Sequence, residues 1–267
     1  VQDIGFEVPS GYVPGTLDVA ADGSRLYVSI AEAVELPGER SRFAEMADAD
    51  PHAELLTVPL EGGDSEVFFE AEGWWNTHVD ASPTRPELVM YPLQGPWRDI
   101  EHKLWVQNVE TGERWSIRPT PGASGVGHQH WLQDGERVGY HGHEGEWEPG
   151  EDGEFFYGHV RYDGTDRVET DVPVRHTHAH TLTPDRFVLD GSPDVPHPLL
   201  YRWDDAAGEY EGPRLLATHD WSTDGPDPHS RFSPDGESVL FDSARHAGVS
   251  DLYLVEIPAF DELPTLA

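Results

Sequence analysis

Fifteen histidines in 267 residues would mean little if they were scattered, but several share a fixed distance to a recurring turn signal. His78, His128 and His229 each stand five residues before an anchor, at Pro83, Gln133 and Pro234, and His178 and His180 bracket the same register in His176-Thr-His178-Ala-His180 ahead of Pro184. Side chains at one register of successive repeats arrive at one level of a stacked structure, so their imidazoles can share a small space. Converging neutral imidazoles and carboxylates are the donor set of a first-row divalent cation, and suit manganese, iron, nickel, copper or zinc better than magnesium or calcium. Asp224 and Asp227, just ahead of His229, offer harder oxygen donors. The expected metal ligands are therefore His128, His229 and one of His178 and His180, here His178, with Asp224 and Asp227 as oxygen donors.

Other residues carry weaker signals. His141-Gly-His143-Glu144 follows a strand-like run, where it is either a loop that reaches the same mouth and offers a general base or a solvated loop. The segment from Glu148 to Glu154 reads as an acidic surface loop. His78 taken alone, like His52, His102, His159, His197, His219 and His246, reads as a satisfied surface or core histidine. No nucleophile elbow, phosphate loop or dinucleotide fingerprint occurs, and a chain without cysteine has neither thiolate chemistry nor a disulfide framework.

The elements that would position these histidines are repeats. Anchors of Ser-Pro-Asp-Gly type occur as Ala21-Asp22-Gly23, Ser82-Pro83-Thr84, Gln133-Asp134-Gly135, Thr183-Pro184-Asp185 and Ser233-Pro234-Asp235-Gly236, the last four spaced 50, 51 and 50 residues apart. Each is followed by a strand-like run, such as Arg25-Leu-Tyr-Val-Ser or Arg186-Phe-Val-Leu, and then by an alternating one, such as Lys103-Leu-Trp-Val-Gln-Asn-Val. A period of about 40 to 50 residues with short strands matches the four-stranded blade of a β-propeller. The expected fold is all-β: a single β-propeller domain over 1–267, with five blades at about 15–70, 72–120, 126–172, 174–218 and 228–262. The segment Gly38 to Asp50 is the one helical candidate, read as an insertion within a blade. In such a fold the register before each anchor opens the innermost strand, where histidines either hold an ion or line the axial channel through water.

Charge bounds the partners. The chain carries 51 acidic against 17 basic residues, a net charge of −34, and Lys103 is its only lysine. The Debye length falls from about 8 Å in physiological salt to about 3 Å at molar salt, so this surface is costly in dilute buffer and tolerable in brine; a halophilic protein is expected. Phosphate backbones and anionic lipid surfaces repel such a polyanion, which argues against nucleic-acid and membrane partners. Twenty-eight aromatic residues (9 Trp, 9 Tyr, 10 Phe) argue for a packed core rather than an acidic disordered chain. No apolar run is long enough to span a bilayer.

From about Gly11 to Pro258 the chain resembles the oligogalacturonate lyases, intracellular β-propeller polysaccharide lyases. The resemblance is carried by Gly127-His-Gln-His-Trp-Leu-Gln-Asp-Gly135, which is similar to that family's Thr-His-Glu-Phe-Trp-x-Pro-Asp-Gly segment, and by Pro228-His-Ser-Arg-Phe-Ser-Pro-Asp-Gly236 through Leu252-Tyr-Leu-Val-Glu256. Gly73-Trp-Trp-Asn-Thr-His78 and Gln94-Gly-Pro-Trp97 match more loosely. The resemblance implies a seven-bladed ring of which this chain carries five, with the amino-terminal blades lacking, or else a shortened five-bladed member. It also implies a cytoplasmic setting, an acidic oligosaccharide substrate, and a divalent metal of manganese type held at His128 and His229. The resemblance implies a histidine pair whose second member is His229 and whose first falls on Asp227 here, while the family's glutamine falls on or near Asp224. The family's base lies in a His-Glu-Gly-Pro segment whose equivalent here is Leu93-Gln-Gly-Pro96, so the base would have to be His143, His141, His178 or His180. Arg231 would serve as the cation that holds the substrate carboxylate. The implied chemistry is β-elimination from uronate oligomers, with His143, His180 and Arg231 as catalytic candidates. The alternative is a non-catalytic, TolB-like propeller that binds a protein or a sugar on the same face.

Overall fold

The computed structural model describes residues 4–39, 42–73, 78–93, 102–119, 125–145, 153–174, 178–219, 227–246 and 249–266. Five antiparallel sheets follow one another along the chain. The first contains β1 (Tyr12–Val19), β2 (Arg25–Glu32), β3 (His52–Pro59) and β4 (Glu66–Glu72), and the second β5 (Asp80–Ala81), β6 (Leu88–Pro92), β7 (Leu104–Asn108) and β8 (Arg114–Arg118). The third contains β9 (Gly125–Trp131), β10 (Arg137–Glu144), β11 (Glu154–Arg161) and β12 (Val168–Val172). In the fourth are β13 (Ala179–His180), β14 (Arg186–Leu189), β15 (Leu199–Asp204) and β16 (Glu209–Leu215), and in the fifth β17 (Arg231–Phe232), β18 (Ser238–His246) and β19 (Val249–Glu256). Each sheet is a meander in sequence order, the arrangement of a propeller blade. The one α-helix among the described residues, α1 (Arg42–Ala49), lies between β2 and β3, where a helical insertion was expected.

The anchors are the hairpin turns between the first and second strands of each sheet. In Asp22-Gly23, Asp134-Gly135 and Asp235-Gly236 the glycine adopts a left-handed φ of 71°, 66° and 71°, and the aspartate Oδ1 accepts the amide two residues on, from Ser24 at 3.0 Å, Glu136 at 2.8 Å and Glu237 at 3.0 Å. Aspartate closes such a turn through its own side chain, and glycine supplies the positive φ without a Cβ clash. The Ser233 hydroxyl and then the Glu237 amide hold the Asp235 carboxyl below its ordinary value. These turns therefore recur where the repeat was read.

The described residues form two compact units: 1–127 with 134–136 and 160–166, and 128–133 with 137–159 and 167–267. In the first, the core gathers Tyr27, Leu55, Val79, Val89 and Tyr91, all at most 1% exposed. The first strands of its two sheets are tied together by Val79 N–H to Thr16 Oγ1 at 2.8 Å and Ala81 N–H to Asp18 Oδ2 at 2.9 Å. In the second, Phe187 stacks between Tyr157 and Tyr201, with ring centroids 3.9 and 4.3 Å away. A further cluster joins Val188, Leu200, Phe232, Val239 and Phe241. Alternation of such residues with polar ones is what makes these segments strands.

Candidate functional site

Four imidazoles meet in the second unit. His128 lies in β9, His141 in β10, His178 directly before β13 and His229 two residues before β17. The centroids of the His178 and His229 rings are 3.7 Å apart with planes at 24°. His128 meets His178 edge to face at 4.3 Å, and its Nδ1 is 2.9 Å from Nε2 of His141. Three successive sheets thus bring His128, His178 and His229 into ring contact. The structure resolves the ambiguity of the fourth repeat: His178 joins the stack and His180 does not.

Backbone and hydrogen bonds orient the rings. His128 and His229 have φ of 48° and 47°, a left-handed conformation that costs a non-glycine residue free energy and tends to persist where function maintains it. The Nδ1–H of His229 donates to the Asp227 carbonyl at 3.0 Å, which leaves Nε2 as the lone-pair nitrogen. His178 Nδ1 lies 2.9 Å from Oδ2 of Asp190, whose side chain is fully buried. Burial pushes the Asp190 carboxyl up, but hydrogen bonds from His178 and Ser230 outweigh it and the net shift is downward. An ionised carboxylate only accepts, so His178 donates through Nδ1, and in the neutral ring Nε2 then carries the lone pair.

A second pair lies next to the stack. His130 and His180 stack at 5.1 Å; His130 Nε2 accepts the Thr181 amide at 3.0 Å, and His180 Nδ1 accepts the Phe232 amide at 3.1 Å. Burial, aided by the charge of Arg231, pulls the pKa of His130 down to about 4. Burial together with His130 and Arg231 takes His180 down to about 2. Both rings are neutral acceptors that join the first strands of neighbouring sheets.

The other expected residues divide as follows. His143 lies on β10 two residues beyond His141, hence on the same face of the strand, half-buried, with its Nδ1–H donated to the Gly145 carbonyl at 3.1 Å. Arg231 is exposed beside the His130–His180 pair. Asp227 is half-buried and meets His229 through its carbonyl, and Asp224 lies outside the described residues, as do Gln94, Gly95 and Pro96. His78 belongs to the first unit. Sequence reasoning missed Asp190 and His130 and read His141 as a candidate base rather than as a partner of His128. A signal for two of them existed: His141 and Asp190 each stand four residues after the arginine that opens the second strand, Arg137 and Arg186.

Among the described residues no three histidine, aspartate or glutamate side chains already stand in coordinating positions, because His178 and His229 present ring faces to one another. The donor chemistry nonetheless fits an ion: His178 and His229 each commit Nδ1 to an oxygen acceptor, so in the neutral rings Nε2 is the nitrogen left to ligate.

No protein-family model and no curated protein sequence matches the chain. Solved structures do. An oligogalacturonate lyase in complex with manganese is 23% identical, with a TM-score of 0.77 over 95% of this chain and 68% of that one. The oligogalacturonate lyase of Vibrio parahaemolyticus is 21% identical, with a TM-score of 0.75 over 94% and 68%. The β-propeller domain of the trilobed protease from Pyrococcus furiosus is 13% identical, with a TM-score of 0.59 over 97% and 72%. The chain is a β-propeller of five described blades. Its fold is the one found in the oligogalacturonate lyase structures, and at these identities the likeness is one of fold.

Proposed function

We propose that the histidine stack binds a first-row divalent cation, of manganese type, and that the protein is a lyase that cleaves uronate oligosaccharides, oligogalacturonate among them, by β-elimination. The observation that carries this reading is the ring contact of His128, His178 and His229 from three successive sheets, supported by a fold shared with a manganese-bound oligogalacturonate lyase. His128, His178 and His229 would hold the ion, with Asp227 at hand. When bound, the ion supplies Lewis acidity that draws charge from the substrate carboxylate and acidifies the neighbouring C–H.

The chain's own residues supply the rest. Arg231, exposed beside the site, pairs with the uronate carboxylate. His143, its Nδ1–H committed to Gly145, offers Nε2 as the base that takes the C5 proton. The electron pair forms the C4–C5 double bond, and the 4-linked oxygen departs and takes a proton from water. His180 is unsuited to proton abstraction, since its Nδ1 already accepts the Phe232 amide and it is 9% exposed. A polyanionic enzyme that binds an anionic sugar needs a local cation to offset self-repulsion, which the ion and Arg231 provide. The setting we propose is intracellular and salt-rich; no helix among the described residues is long and apolar enough to cross a membrane.

The test is metal analysis of protein purified in molar KCl, followed by assay of uronate oligomers for the ultraviolet absorbance of an unsaturated product. His128→Ala and His229→Ala should each abolish metal binding and product, while His143→Ala should keep the metal and lose turnover. A wild-type protein that binds metal and yields no unsaturated uronate from any uronate oligomer is instead a sugar- or protein-binding propeller.

A further inference from the structure

Asp190 makes more contacts at the stack than any assigned role requires. Its Oδ2 accepts His178 Nδ1–H at 2.9 Å and the His229 amide at 3.0 Å, and its Oδ1 accepts the Ser230 amide at 2.6 Å. The side chain is 0% exposed. One buried carboxylate therefore sets the tautomer of one histidine and grips the main chain of the next at its left-handed φ of 47°.

Its own position is fixed on two sides. The buried His219 ring lies with Nε2 3.3 Å from the Asp190 carbonyl. Gly191 follows at φ +79°, where a Cβ would come within 2.3 Å of the Val195 carbonyl oxygen and 2.5 Å of that of His197. The chain can reverse there only with glycine, and the reversal aims Asp190 at the two histidines. At the same register of the preceding sheet the imidazole of His141 meets His128, Nε2 to Nδ1 at 2.9 Å.

We propose that Asp190 is a positioning residue which couples His178 and His229 into one ligand pair: it holds His178 in the Nδ1–H tautomer, so that Nε2 is the ligating nitrogen, and it holds the strained backbone that presents the His229 ring. This rests on the metal-binding reading of the site. A carboxylate behind a ligating histidine fixes the ring and raises its basicity, and losing such a partner costs about 10- to 100-fold in metal affinity.

The experiment compares wild type with Asp190→Asn, stripped by chelator in molar KCl, using cobalt(II) and zinc(II) as probes. Affinity is read by calorimetry and by the cobalt visible spectrum. The tautomer of His178 is read by nitrogen NMR of histidine-labelled, metal-free protein, its signal assigned by its loss in His178→Gln. We expect the variant to fold, to bind both ions about 10- to 100-fold more weakly with an altered cobalt spectrum, and to lose the pure Nδ1–H signature of His178. Equal affinity and an unchanged spectrum in Asp190→Asn would overturn the proposal. So would a wild-type His178 protonated at Nε2, a measurement that holds even if the variant does not fold. Should wild type bind neither ion, the metal reading fails, while loss of the Nδ1–H signature in Asp190→Asn would still support the positioning role.

Discussion

Replacing His180 by asparagine isolates one term in the acid sensitivity of the second unit. His180 is 9% exposed and its Nδ1 accepts the Phe232 amide at 3.1 Å, so it must be neutral when folded; protonation would remove the acceptor and place a cation beside Arg231. Its folded pKa is lowered to about 2 from an ordinary value of 6.5. Below the unfolded value the unfolded chain binds a proton that the folded chain refuses, so this group's contribution is intact above pH 6.5 and is lost as pH falls toward the folded value. Between about pH 7 and about pH 5 the loss spans roughly one and a half pKa units, or about 2 kcal/mol. Acidification also relieves repulsion among the many carboxylates, which raises stability and hides the effect in wild type alone. Asparagine Oδ1 can accept the same amide without titrating, so the difference between wild type and His180→Asn removes that background. Urea unfolding of metal-free protein at constant molar KCl should show the wild type losing about 2 kcal/mol relative to the variant across this range. A difference that stays constant with pH, or that favours wild type at the acid end, would refute the assignment of His180 as a neutral acceptor.

Three further outcomes are expected. Glu136 bridges Arg85, through Oε1 at 2.6 Å, and Arg161, through Oε2 at 2.9 Å, so Glu136→Gln should cost about 1 kcal/mol in urea unfolding, and a neutral substitution would show the pair to be screened out. Gly191→Ala meets backbone oxygens at 2.3 and 2.5 Å and should destabilise by about 3 kcal/mol or more and weaken zinc binding; a variant with wild-type stability and affinity would contradict the tight reversal. The net charge of −34 should make the melting temperature climb from dilute buffer to molar KCl, and a salt-independent melt would remove the argument from screening.

The repeat itself was legible without coordinates, because Asp-Gly turns and alternating apolar residues impose local geometry wherever they occur; five anchors became five hairpin turns. The shared register of His128 and His229 was legible for the same reason, since equal distance from equal turns gives equal height. Which of His178 and His180 belongs with them was not, because two residues along a strand keep the same face and only the strand's offset against its neighbours separates the levels. Asp190 and His141 were hidden more deeply. An aspartate after a short apolar run reads as a loop residue until the second strand lies beside the first, and only then does a carboxylate twelve residues from His178 and thirty-nine from His229 become their common partner. Local chemistry is written in neighbours along the chain, whereas the state of a buried carboxylate depends on donors that folding alone brings within hydrogen-bond distance.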